Sequence, residues 1–120
     1  MAAQCLIVDD NSDFLEAART LLEREGLTIA GLASTGAEAL QKAELLRPDV
    51  VLVDVSLGDE SGIDLARRLV ADSAHEARVI LISTRSEAEL GDVAAICPAA
   101  GFVSKSELSA DAIRGFLDGR

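Results

Sequence analysis

Apolar and polar positions fall in alternating blocks along this chain. Cys5-Leu6-Ile7-Val8 is a short apolar run ended by Asp9-Asp10-Asn11-Ser12, the pattern of a buried strand entering a loop. Phe14, Ala17, Ala18, Leu21 and Leu22 then recur at helical spacing, and Gly26 stops that helix. Residues 27–33 (LTIAGLA) predict a second strand. Thr35 through Glu38 fits a capping box ahead of the stripe Ala39, Leu40, Ala43 and Leu46, and Pro48 closes the segment. Val50-Val51-Leu52-Val53 is continuous rather than alternating, as expected of a central strand covered on both faces; it ends at Asp54. Gly58, Ser61 and Gly62 mark a loop before a helix carrying Ile63, Leu65, Ala66 and Leu69. A fourth run, Val79-Ile80-Leu81-Ile82, ends at Ser83-Thr84, and Ser86 through Glu89 repeats the capping-box pattern before Leu90, Val93 and Ala94. A last strand over Gly101-Phe102-Val103-Ser104 ends at Lys105, and a final helix begins near Ser109 with Ala112, Ile113, Phe116 and Leu117. Gly91 and Gly115 weaken their helices by roughly 1 kcal/mol each relative to alanine. Strand and helix alternate five times. The pattern predicts one α/β domain over residues 1–120, an open five-stranded, mostly parallel sheet with helices on both faces.

Composition narrows the class. Hydrophobic residues make up 49 % of the chain, too many for a disordered acidic segment. Phenylalanine is the only aromatic, at three copies, so the core must come from Leu, Ile, Val and Ala. No apolar run reaches the roughly 20 residues that span a bilayer. Met1-Ala2-Ala3-Gln4 lacks the basic segment that opens a signal peptide, so the expectation is a cytoplasmic protein without a membrane partner. The net charge is -10, a surface that repels phosphate backbones and argues against direct nucleic-acid binding. Residues 1–77 hold 15 acidic and 6 basic side chains, whereas residues 78–120 hold 6 and 5. The acidic part should surround any cation site, and the near-neutral part is the better candidate for a protein contact. Cys5 and Cys97 lack metal-ligand spacing; Cys5 reads as a buried thiol and His75, the one histidine, as a surface residue.

The candidate chemistry collects at strand ends, where parallel α/β sheets bind ligands. The first predicted strand ends in Asp9-Asp10, the third in Asp54, the fourth in Ser83-Thr84 and the fifth in Ser104-Lys105. Asp9-Asp10 alone could equally be a solvated loop or a helix N-terminal charge pair. Asp54 is harder to explain structurally, because it closes a wholly apolar strand. Three carboxylates placed together repel one another unless a cation is bound, and they suit a small hard ion such as Mg²⁺. A lysine and a hydroxyl opposite them suit phosphoryl oxygens.

Asp9-Asp10, Asp54 with Gly62 eight residues later, Ser83 and the lysine of Gly101-Phe102-Val103-Ser104-Lys105 together resemble the receiver domain of bacterial two-component response regulators, over essentially the whole chain. The resemblance implies the (βα)5 flavodoxin-like fold. It further implies that Asp54 accepts a phosphoryl group from a sensor histidine kinase or phosphotransfer protein. Asp10, Asp54 and the Ser56 carbonyl would ligate Mg²⁺, with Asp9 helping through water. Ser83 and Lys105 would bind phosphoryl oxygens, and Ser83 with Phe102 would form the switch. An output protein or a second copy would then dock on residues 84–117.

The chain departs from the family pattern at three places. Leu57-Gly58 stands where Met-Pro or Leu-Pro is common, Ser106 where proline often follows the lysine, and Phe102 where tyrosine is frequent. The Gly-Phe-x-x-Lys-Ser form resembles the branch that usually carries a helix-turn-helix output domain. That domain is absent from these 120 residues, which leaves a stand-alone receiver or a shortened chain. Two other classes compete. A small phosphohydrolase with an aspartyl-phosphate intermediate usually places a second aspartate two residues after the nucleophile, and position 56 is serine; the chain therefore reads as no enzyme beyond its own phosphorylation and slow autodephosphorylation. A phosphorylation-independent interaction domain would have no use for the whole set Asp9, Asp10, Asp54, Ser83 and Lys105.

Overall fold

A computed structural model describes residues 4–71, 78–84 and 101–118. Five strands form one sheet: β1 (Gln4–Val8), β2 (Thr28–Ala33), β3 (Val50–Asp54), β4 (Arg78–Ser83) and β5 (Gly101–Ser104). Their spatial order is β2-β1-β3-β4-β5, and every neighbouring pair is parallel. Four helices are described: α1 (Ser12–Arg24), α2 (Gly36–Leu46), α3 (Gly62–Ala71) and α4 (Ala110–Asp118). This is the open parallel sheet with helices on both faces that the alternating pattern predicts, in the (βα)5 flavodoxin-like order that the resemblance implies. The capping box at Ser86–Glu89, the stripe Leu90, Val93 and Ala94 with Gly91, and also His75 and Cys97, lie outside the described residues. Among those described, no helix is long and apolar enough to cross a membrane.

The period-two geometry of the strands sorts their side chains into two cores. Cys5, Ile7, Val50, Leu52, Ile80, Ile82 and Val103 face α1 and α4 through Leu15, Ala18, Leu22, Ala110 and Ile113. Leu6, Val8, Val51, Val53, Val79 and Leu81 face α2 and α3 through Ala39, Ala43, Leu65, Ala66 and Leu69. Burial on both sides explains why β3 reads as an unbroken apolar run. Cys5 is wholly enclosed, and burial pushes its thiol up to about 12, an inert packing group.

Local chemistry sets the helix starts. The Asn11 side chain accepts from the backbone N–H of Asp13 and Phe14 (2.9 and 3.2 Å), capping α1 immediately after the acidic pair. At α2 the Thr35 hydroxyl accepts from Glu38 N (3.1 Å), the expected half of a capping box. The return half is displaced by one residue: the Glu38 carboxylate accepts from Ser34 N (2.7 Å) rather than from Thr35.

The chain order places the site. After β1 the chain crosses to one side to make β2, then returns past β1 to make β3 on the other side. The carboxyl ends of β1 and β3 therefore frame the crevice at which the winding direction reverses.

Candidate functional site

Val8 pairs with Val53 in the β1–β3 register, so the next residues, Asp9 and Asp54, emerge side by side at that crevice. Asp9 N continues the ladder by donating to Ala33 O (3.0 Å). Asp9 and Asp54 share the parity of Ile7 and Leu52, so both start from the α1 side of the sheet. Asp10 follows on the solvent side. One carboxylate oxygen from each of Asp9, Asp10 and Asp54 lies within 4.8 Å of the other two. Asp9 is wholly buried, Asp54 is 7 % exposed, and Asp10 is open.

Lys105 reaches into this cluster from the end of β5. Its Nζ lies 2.5 Å from Asp9 Oδ2 and 3.3 Å from Asp54 Oδ2. Only the Asp54 contact is aligned as a hydrogen bond. Asp9 Oδ2 is held by charge alone and lacks a directed donor. Asp9 Oδ1 accepts from Asn11 N (2.8 Å), and Asp54 Oδ1 from Ser56 N (3.3 Å). Burial raises the Asp54 carboxyl above its usual value, the Asp9 charge adds to the rise, and Lys105 offsets part of it. One ammonium among three carboxylates leaves an excess of negative charge. That excess, together with the undirected Asp9 oxygen, fits a small oxygen-seeking cation.

The loop after Asp54 is built around two glycines. Ser56–Leu57 and Glu60–Ser61 form a two-residue antiparallel hairpin where the sequence reading has only a loop. Gly58 (φ +61°) occupies the first central position of its turn, which a residue with a side chain enters only with strain. A methyl group there would also approach Asp10 Oδ2 to 3.3 Å. Gly62 is a matter of space: a Cβ would sit 1.7 Å from the Asp54 carbonyl oxygen. Its own N–H donates to Val55 O (2.9 Å), closing α3 against the end of β3. Glu60 fastens the hairpin's far side by accepting from Gly36 N at the start of α2 (3.0 Å).

Of the residues singled out from the sequence, Asp9, Asp10, Asp54 and Lys105 converge. Ser56 is the first hairpin residue, two positions beyond Asp54. Ser83 is buried at the end of β4 and pairs with Ser104, while Phe102 is half-buried across from Leu81. Ser83 and Phe102 thus share the α2–α3 side of the sheet. Of the surface expected over residues 84–117, positions 85–100 lie outside the described residues. The Lys105–Ser106 peptide is trans and opens a 3₁₀ turn, Lys105–Glu107. The sequence reading missed Asn11 as the α1 cap, although an asparagine just ahead of a helical stripe is its usual signal. It took Phe14 as core alone, yet the Phe14 ring lies under Lys105, 4.2 Å from Nζ to the ring centroid.

Residues 5–115 match the family described as the response regulator receiver domain. The chain is 31 % identical over 102 residues to the DNA-binding transcriptional activator EvgA of Escherichia coli K12, covering 85 % of this chain and 50 % of that protein. It is 32 % identical over 109 residues to the transcriptional regulatory protein LnrK of Bacillus subtilis, covering 90 % of this chain and 49 % of that one. The chain therefore spans about half the length of these curated relatives. Among solved structures, a LuxR-family two-component response regulator from Aurantimonas superposes with a TM-score of 0.85 at 28 % identity, covering 100 % of this chain and 88 % of the other. A response regulator from Burkholderia pseudomallei, solved with a phosphorylated aspartic acid and a calcium ion, superposes with a TM-score of 0.79 at 26 % identity, covering 97 % of this chain and 66 % of the other. With the fold, the tri-aspartate crevice and a family match over nearly its whole length, the chain belongs to the response regulator receiver domains, phosphoacceptors of phosphorelay signalling rather than enzymes acting on a separate substrate.

Proposed function

We propose that Asp54 is the phosphorylated residue and that Mg²⁺ is the ion of the acidic crevice, with a sensor histidine kinase or phosphotransfer protein as donor. The observation that carries this reading is the convergence of three carboxylate oxygens within 4.8 Å, bridged at Asp9 and Asp54 by Lys105. The phosphorylated aspartic acid and calcium ion of the Burkholderia relative support it. Asp10, Asp54 and the Ser56 carbonyl would hold the metal, with Asp9 acting through water. The ion would offset the repulsion between an anionic nucleophile and an anionic phosphoryl group.

The chain's own residues do the rest. An Asp54 carboxylate oxygen attacks phosphorus as the P–N bond to the donor histidine breaks. The product is an acyl phosphate on Asp54, and the bonding pair returns to the imidazole. Lys105 Nζ shifts from the carboxylates to a phosphoryl oxygen, and the Ser83 hydroxyl donates to another. Drawing Ser83 inward alters packing around Phe102, on the same side of the sheet, and so biases the surface over residues 84–117 toward an output protein or a second copy. The chain acts as one domain in the cytoplasm, and a net charge of -10 keeps it from nucleic acid itself.

Metal binding and phosphoryl uptake should stand or fall together. At a free Mg²⁺ concentration of 100 times Kd, linkage stabilises the fold by about 2.7 kcal/mol, read as a rise in melting temperature over EDTA. Asp10→Ala should lose most of that rise and most of the uptake from acetyl phosphate. If Asp10→Ala gains as much from Mg²⁺ as the parent chain, the ligand set is wrong.

A further inference from the structure

The Phe14 ring has no part in the phosphoryl-accepting set Asp9, Asp10, Asp54, Ser83 and Lys105, and its placement is specific. Asn11 caps α1 and accepts from Phe14 N (3.2 Å), which fixes the backbone of the first turn. The ring packs partly buried against the α1–α4 core, and its face receives the Lys105 ammonium at 4.2 Å. The Lys105 side chain is only 14 % exposed. Its charge therefore has three neighbours among the described residues: Asp9, Asp54 and the Phe14 ring.

These neighbours behave differently through a phosphorylation cycle. A cation in the crevice draws on the same carboxylates that hold Lys105, and phosphorylation converts one Asp54 oxygen into the bridging oxygen of an acyl phosphate. Both ion pairs are therefore weakened at the moment the lysine is needed on the phosphoryl group. The ring keeps its quadrupole throughout. A lysine has four rotatable stem bonds and a strong preference for water, so without the ring it would swing outward between partners.

Building on the phosphoacceptor reading, we infer that Phe14 is a positioning residue for phosphoryl transfer, holding the Lys105 ammonium over the crevice by a cation–π contact so that it meets the phosphoryl group. The contact acts through charge and ring electronics rather than through shape alone.

Beryllofluoride with Mg²⁺ is the probe, and its affinity is read by ¹⁹F NMR because the chain has no tryptophan to report binding. Phe14→Leu should weaken beryllofluoride binding about fivefold, and Phe14→Tyr should bind as the parent chain does. Site-specific 3,4,5-trifluorophenylalanine at position 14 keeps the ring's shape but strips its negative face, and should weaken binding nearly as much as leucine does. Parent-like affinity for the trifluoro protein overturns the inference, whatever the leucine variant does, because packing would then be the ring's whole role. Failure of the parent chain itself to bind beryllofluoride would sink the phosphoacceptor reading, and this inference with it.

Discussion

Asp54→Asn should abolish phosphoryl uptake and, in EDTA at neutral pH, melt at a higher temperature than the parent chain. Both effects follow from one placement. Asp54 supplies the proposed nucleophile, and its side chain is only 10 % exposed at the end of an apolar strand. Burial there raises its carboxyl above the usual value, with the Asp9 charge adding to the rise; Lys105 at 3.3 Å reduces it without reversing it. The folded chain consequently binds the Asp54 proton more tightly than the unfolded chain does. The stability from this group is fully present below the unfolded value of 3.8. It is lost as pH rises through the higher folded value. The asparagine variant has no such loss, so its advantage should grow from acid to neutral pH in metal-free buffer. Adding Mg²⁺ should reverse the order, since the ion stabilises only the chain that keeps the carboxylate. Thermal melts of the two proteins across pH, with EDTA and with Mg²⁺, check every part of this. An asparagine variant less stable than the parent at neutral pH in EDTA would show that the Lys105 contact outweighs burial.

Gly62→Ala should cost about 3 kcal/mol and cripple the site as well. The added Cβ would lie 1.7 Å from the Asp54 carbonyl oxygen and 2.7 Å from its carbonyl carbon. These are backbone atoms of a central strand, so no side-chain rotation relieves the clash. Either α3 moves off the end of β3 or the Asp54 peptide turns, and a turned peptide re-aims the carboxylate. Gly115→Ala is the contrast. It lies exposed in α4, a Cβ there meets nothing within 4 Å, and the change should stabilise by up to about 1 kcal/mol through helix propensity. Urea unfolding of both variants tests the pair; equal and small effects would mean that the close approach at Gly62 relaxes freely.

Why Asp9, Asp54 and Lys105 could be found without coordinates is a matter of strand geometry. Each strand core is apolar, so a charged residue at its carboxyl end stands out, and parallel strands deliver those ends to one edge. The register that sets Val8 beside Val53 was not legible, because it depends on a strand order that local pattern does not encode. Phe14 was hidden for the opposite reason: the helical stripe already accounted for it as a core residue, and nothing local announced the lysine 91 positions later. The Glu60 tie to Gly36 spans 24 residues, from the short hairpin to the start of α2, and leaves no periodic trace. At residues 56–61 a turn signal was visible in Gly58, but the two-residue strands beside it are too short for alternation to register.

The most direct test is borohydride trapping after incubation with acetyl phosphate and Mg²⁺. Borohydride reduces an acyl phosphate at aspartate to homoserine, which peptide mass spectrometry locates. The expected result is conversion at Asp54 alone, absent with EDTA and absent in Asp54→Asn. Conversion at Asp9 or Asp10, or a phosphoryl group carried on Ser83 or His75 with Asp54 unmodified, would contradict the account.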